Sequence, residues 1–182
     1  MRTFFTSDSH FGHDNIIWHC KRPFQDGTQM DRALMDAWNR VVSTGDVVYH
    51  LGDFSLRPAA VISDLLKNLH GTKHLIVGNH DRTHGVTGWA SMQEMAKISV
   101  DGQSVFLCHY PMREWPGMWQ GTVHLYGHVH GNLQPMPGSM EVSADVWGGK
   151  PVQMTDILNA VMPFDAESEK QQRKPLRLRD WD

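Results

Sequence analysis

Six runs of apolar, β-prone residues punctuate this chain, and most of them end in a glycine, an abrupt polar cluster or both. The first, at residues 4–6, becomes polar at Asp8. "DVVYHLGD" (46–53) closes on Gly52-Asp53, and "KHLIVGNHD" (73–81) repeats the sequence of apolar run, glycine and polar cluster. "KISVDGQSVFLCHY" (97–110) holds two β-rich stretches around Asp101-Gly102, a strong hairpin signal. "TVHLYGHVHG" (122–131) is a further strand ending in histidines, and residues 140–146 read as another short one.

Between the runs the period changes. Leu34, Ala37, Trp38, Val41 and Val42 form a helical stripe that predicts a helix over 28–42, with Thr28 and Asp31 at capping-box spacing. Val61, Ile62, Leu65, Leu66 and Leu69 predict a second over 58–69, with Pro58 in its first turn and Gly71 beyond its end. A short helix is expected at 155–162. From Asp165 the chain mixes acids and bases without apolar period. The expected organisation is therefore one domain over 1–164 and a solvated C-terminal tail over 165–182. Early alternation of strands and helices, then consecutive strands, predicts a layered α/β sandwich rather than a barrel.

Composition narrows the picture only slightly. At 182 residues, 40% apolar and 20% charged, the chain is long enough for a real core and ordinary for a water-soluble domain. A net charge of −3 gives no global basic field for nucleic acid or anionic membrane. No apolar run approaches the roughly 18 residues that cross a bilayer, and "MRTFFTSDSH" lacks a signal-peptide core. Cys20 and Cys108 make no disulfide framework, so a reducing, cytoplasmic setting is the expectation.

Histidine does change the picture: there are 12, against 3 tyrosines. Those at 19, 70, 74 and 84 lie off the strand ends and read as surface residues. His50 and His124 sit inside strands and read as packing groups or as supports behind the ligands. The rest collect. Five apolar runs end in metal-binding side chains: Asp8-Ser9-His10, Gly52-Asp53, Gly78-Asn79-His80-Asp81, His109 and Gly127-His128-Val129-His130. One such ending is ordinary, because an isolated His or a Gly-Asp turn is common. Five together are not, since ligands of open α/β sheets bind beyond the carboxyl ends of strands. In extended chain Asp8 and His10 would face one point, as would His128 and His130. Glycines 52, 78 and 127 would let the backbone turn or approach closely.

D-x-H, G-D, G-N-H-D, a lone His and G-H-x-H, in this order from Asp8 to His130, resemble the calcineurin-like metallophosphoesterases. "HFGHDNII", "YHLGDFS" and "HYPMREW" are most similar to a small bacterial and phage-associated branch. The resemblance implies a four-layer α/β/β/α sandwich, two stacked mixed β-sheets flanked by helices. It implies a two-metal site as well. Asp8, His10, Asp53 and His130 would hold one ion, and Asp53, Asn79, His109 and His128 the other, with Asp53 bridging. His80 would face substrate, its imidazole oriented by Asp81.

Two divalent ions against the charges of Asp8 and Asp53 leave a net excess of two positive charges, available to bind an anionic phosphate and to deprotonate a bridging water. Nitrogen-rich ligation favours a transition metal (Mn foremost, or Fe, Zn, Ni or Co) over Mg or Ca. The expected reaction is attack on phosphorus by a metal-bridging hydroxide while His80 protonates the leaving alkoxide.

The substrate class is argued by elimination. Phosphoprotein phosphatases of this superfamily carry G-D-x-V-D-R-G, but here the stretch is "GDFSLRP", which lacks the second Asp and the Arg-Gly pair. A diester needs no arginine clamp, so a phosphodiesterase acting on a nucleotide-type or other small diester is favoured over a monoesterase. Weak net charge argues against a nuclease without removing a small one. A non-catalytic metal-binding scaffold is the remoter alternative, disfavoured because every expected ligand and His80 are present. Trp115 and its neighbours between His109 and His128 either stack a nucleobase or fold over a small core of their own. His13, Asn15, Arg113 and Trp115 are the candidate substrate contacts.

Overall fold

The computed structural model describes residues 1–134 and 136–172. The first sheet contains β1 (Thr3–Thr6), β2 (Val47–His50), β3 (Thr72–Ile76) and β4 (Ser91–Gln93) as parallel neighbours. α1 (Asp14–His19), α2 (Gly27–Val41) and α3 (Ala59–Asn68) lie between them in the chain. The second sheet begins with the hairpin β5 (Met95–Val100) and β6 (Gln103–Cys108), followed by β7 (Val123–Tyr126) and β8 (Ser139–Glu141) in parallel. β9 (Val152–Gln153) returns antiparallel beside β1 and leads into α4 (Met154–Ala160). The orders are β4-β3-β2-β1-β9 and β5-β6-β7-β8, so both sheets are mixed.

Strand alternation builds the layers. Phe4 and Val48 point to one side of the first sheet, into a core shared with Leu34 and Trp38 of α2 and Ile62 and Leu66 of α3. Phe5 points the other way and meets Val105, Leu107, Val123 and Leu125 of the second sheet. Because both faces are covered, the strands read as continuous apolar runs. The outer face of the second sheet is closed by a loop: Phe106 and Cys108 pack on Trp115 and Met118, beside a 3-10 turn at Met118–Gln120.

Differences from the sequence reading have local causes. The N-cap of α2 is Asp26, whose carboxylate accepts from Gln29 N at 2.8 Å; Thr28 lies inside the helix. Asp31 instead accepts from Gly12 N at 2.8 Å, tying α2 to the loop after β1. The expected strand at 140–146 is cut to β8 because Ser143 leaves the sheet to bridge Ser7, just beyond β1. α1, β4 and β9 are too short to carry a periodic signal. In the expected tail, Ala166–Gln172 forms a short helix, α5, and residues 173–182 lie outside the described residues. At the hairpin, Asp101 and Gly102 both have positive φ (51° and 83°), as a primed two-residue turn requires.

Candidate metal centre

The carboxyl ends of β1, β2, β3, β6 and β7 converge, and they bring the seven expected metal-binding side chains together. Donor atoms of Asp8, His10 and His130 lie within 4.8 Å of one another, and so do those of Asp53, His109 and His128. Asp53 joins the two groups: its Oδ2 is 3.6 Å from His10 Nε2 and 3.5 Å from His109 Nε2. Asn79 Oδ1 lies 3.1 Å from His109 Nε2 and so belongs with the second group.

The backbone achieves this differently from the extended geometry expected. Of the seven non-glycine residues with positive φ among those described, five are Asp8, His10, Asp53, His128 and His130. Left-handed backbone is costly for such residues and persists only where surroundings enforce it. Asp8 and His10 are therefore not pleated neighbours. Their bend is fastened by Asp8 N to Gly52 O at 2.9 Å and His10 N to Asp53 O at 3.0 Å. His128 and His130 do not face one point either; they separate, one into each group.

Glycines admit the close approach. A Cβ at Gly78 would run into Asp53 Oδ1, and one at Gly52 would lie 2.5 Å from His109 Nδ1. At Gly127 a Cβ would strike Asp8 Oδ2 and lie 2.5 Å from Ser7 Oγ. The next residue, His128, donates its N–H to both Asp8 oxygens at 3.1 Å.

Three supports are absent from the sequence reading. Arg22, buried, donates to Asp8 O at 2.6 Å and Ser9 O at 2.9 Å, and grips Asp145 with Nε at 2.8 Å and Nη2 at 2.7 Å. Asp145 in turn holds His130 Nδ1 at 2.7 Å, which turns Nε2 toward Asp8. His109 is fixed similarly, with Nδ1 on Leu51 O at 2.7 Å and Nε2 facing the cluster. Pinning one imidazole nitrogen so that the other is free to ligate is the usual support of a metal-binding histidine. His50 takes the supporting role of the two expected for it: it lies 2.9 Å from the Oγ of Ser9, the residue between Asp8 and His10. Nothing in the spacing marked Arg22 or Asp145, because neither ends a strand with a donor motif.

The electrostatics fit a cation. Asp8 and Asp53 are almost wholly buried. Burial, opposed by His130, raises the Asp8 carboxyl to about 7. Burial also lowers His10 to about 2, with nearby His130 and Arg22 adding to it. His10 Nε2 is buried without any hydrogen-bond partner. Two buried carboxylates beside an orphan imidazole nitrogen would be costly in a metal-free protein and are resolved by a bound cation. Cys20, His130 and Asp145 also approach one another, but both Asp145 oxygens are filled by Arg22 and His130, and the guanidinium opposes a cation there.

Around the cluster, His80 is exposed, its N–H donating to Asp53 Oδ1 at 2.9 Å and its ring 5.5 Å from that of His10. His13 lines the rim, with its ring 5.3 Å from His10 and 6.3 Å from His80. Asp81 does not match the expected partner of the His80 ring. Its oxygens accept from Asp53, Phe54 and Gly78 N–H groups, each at 2.8 Å, and clamp two turns together. Trp115 is no substrate platform: it is 3% exposed and donates to Thr122 O at 2.7 Å, so its loop has folded over its own core. Asn15 and Arg113 are exposed, and neither hydrogen-bonds to the cluster. Arg57 packs its guanidine group on Gly12, next to His13.

The profile of the calcineurin-like phosphoesterase superfamily domain matches residues 1–147, and the chain belongs to that superfamily. An uncharacterized protein of Methanocaldococcus jannaschii is 32% identical over 169 residues, 88% of this chain and 91% of that one. The gene 66 protein of Mycobacterium phage D29 is 28% identical over 79% of this chain and 87% of its own, in keeping with the phage-associated branch. A solved structure of an Aquifex aeolicus protein of unknown function superposes with a TM-score of 0.71 at 22% identity, over 88% of this chain and 99% of that one, and shares the fold. Membership supports a metal-dependent phosphoesterase, in a superfamily that uses a dinuclear divalent metal centre. No helix among the described residues is long and apolar enough to cross a membrane.

The Gly127 contact gives a direct test. Gly127→Ala should destabilise the protein by about 1–3 kcal/mol in denaturant melts, since the methyl group must displace Asp8 or Ser7. Gly45→Ala, whose Cβ meets nothing within 4 Å, should change stability by no more than about 0.5 kcal/mol.

Proposed function

We propose that this chain is a metal-dependent phosphodiesterase acting on a small nucleotide-type diester. Asp8, His10, Asp53 and His130 would surround one divalent transition-metal ion, and Asp53, Asn79, His109 and His128 a second. The observation that carries the reading is Asp53 Oδ2, 3.6 Å from a histidine of one donor group and 3.5 Å from a histidine of the other. Bound there, such ions supply Lewis-acid polarisation of the phosphate and an activated water.

The protein's own part follows from its residues. Asp145 and Leu51 O keep His130 and His109 with Nε2 turned inward, so neither ring has to reorganise during turnover. Asp81 holds the 52–54 turn against the 78 turn and fixes the height of Asp53. His80, exposed and anchored through its main chain to Asp53, is suited to deliver an imidazole proton to the departing alkoxide oxygen. His13, beside it, is suited to a hydrogen bond with substrate. Localisation in the cytoplasm accords with the two free cysteines, Cys20 and Cys108.

One observation favours a phosphomonoesterase of the same superfamily instead. Exposed Arg57 packs its guanidine group on Gly12, next to His13 in the chain, and a guanidinium is suited to a dianionic phosphate. A panel of p-nitrophenyl phosphate, bis-p-nitrophenyl phosphate, cyclic nucleotides and single-stranded DNA, run across Mn, Co, Ni, Zn and Mg, separates the two. The diesterase reading expects metal-dependent hydrolysis with the diesters fastest. Preference for p-nitrophenyl phosphate overturns it, and absence of all hydrolysis points to the scaffold.

The role of His80 has its own test. His80→Ala should lower kcat about 100-fold or more for an alkyl leaving group but far less for p-nitrophenolate, with metal content unchanged. Equal loss for both leaving groups removes His80 from the acid role.

A further inference from the structure

A cavity of about 310 Å³ opens beside the metal centre, lined by the segment after α1, one face of α2 and the turn after β8. His130 borders both spaces. Its Nε2 faces Asp8 at 3.7 Å, while its Nδ1 meets Asp145, which lines the cavity. A group bound there would sit one imidazole ring away from a phosphate held at the donor cluster.

The wall chemistry limits the occupant. Its buried ionic groups are already paired: Arg22 with Asp145, and Asp145 with His130. A charged ligand therefore finds no free buried partner among them. What remains open is apolar, with Phe24, Leu34, Ala37 and Ala144 on the walls. Phe24, which also packs against the core, is only half-buried. Gly148 and Gly149 bring main chain to the wall without side chains, and a Cβ at 148 would meet nothing within 4 Å. Exposed Lys21 stands among the lining residues. An uncharged planar ring with polar edges, joined to a phosphate, suits such a site.

We propose that this cavity binds the nucleobase of the substrate, the role for which Trp115 is unavailable because it is buried. The proposal rests on the phosphodiesterase reading and adds the part of the substrate that gives specificity. Selectivity among diesters would then come from the α2 side of the site, not from the 110–122 loop.

The test compares two diesters with the same leaving group, the p-nitrophenyl ester of thymidine 5′-monophosphate and methyl p-nitrophenyl phosphate. Wild type should prefer the nucleoside ester in kcat/KM. Ala37→Leu and Ala33→Leu, which fill the cavity from half-buried positions of α2, should each cut that preference about tenfold. Thermal melts confirm that both variants are folded. An unchanged preference in both folded variants overturns the proposal. Thymidine titrated into the metal-free protein provides a readout independent of turnover. Amide shifts should appear around Phe24 and Ala37 and be lost in Ala37→Leu; their absence from wild type overturns the proposal too. If neither ester is hydrolysed but the thymidine shifts appear and are lost in the variant, the diesterase reading fails and the base site stands.

Discussion

Two carboxylates, Asp8 and Asp53, are buried at the meeting point of five strand ends, and the rest of the site is arranged around that cost. Unpaired ionised groups in a low-dielectric interior are among the most unfavourable things a fold can contain. The protein reduces the penalty with main-chain donors: His128 N–H on Asp8, and His80 N–H on Asp53. These do not suffice, because burial still pushes the Asp8 carboxyl up to about 7. Divalent cations at the proposed site would complete the compensation, so that the same geometry would serve both stability and chemistry.

Holding the donors there takes unusual backbone. Five of the seven putting their side chains into the cluster adopt positive φ, a conformation that the flanking structure has to impose. The strands end a few residues before each bend, and specific bonds take over. Arg22 fastens the Asp8–Ser9 carbonyls, Asp81 ties the Asp53 turn to Gly78, and Asp145 links Arg22 to His130. Glycines 52, 78 and 127 are then required for a steric reason, since a methyl group at any of them would occupy space held by a neighbouring site residue or its backbone. Strain, packing and ligation are one arrangement.

The legibility of this site in the sequence was uneven, for physical reasons. Donor residues at strand ends announce themselves because a continuous apolar run is interrupted by groups that rarely stop it by chance. The layered fold was legible as well, since Phe4 and Phe5 feed two different cores and so produce runs without alternation. The supporting charges were not. Arg22 and Asp145 are 123 positions apart and meet only through the fold, and neither belongs to a spaced motif. Asp81 illustrates a different failure: the family resemblance implied a side-chain pair with His80, whereas three N–H groups compete successfully for the carboxylate. Trp115 fails differently again. An apolar ring near a site can be platform or core, and Phe106, Cys108 and Met118 supply the core.

The central claim is that Asp53 is shared between two cations. Anomalous-difference maps from crystals of manganese-loaded protein test it most directly. Two peaks are expected, one beside Asp8, His10 and His130 and the other beside Asn79, His109 and His128, with Asp53 ligating both. A single ion, or two ions that do not share Asp53, would contradict it.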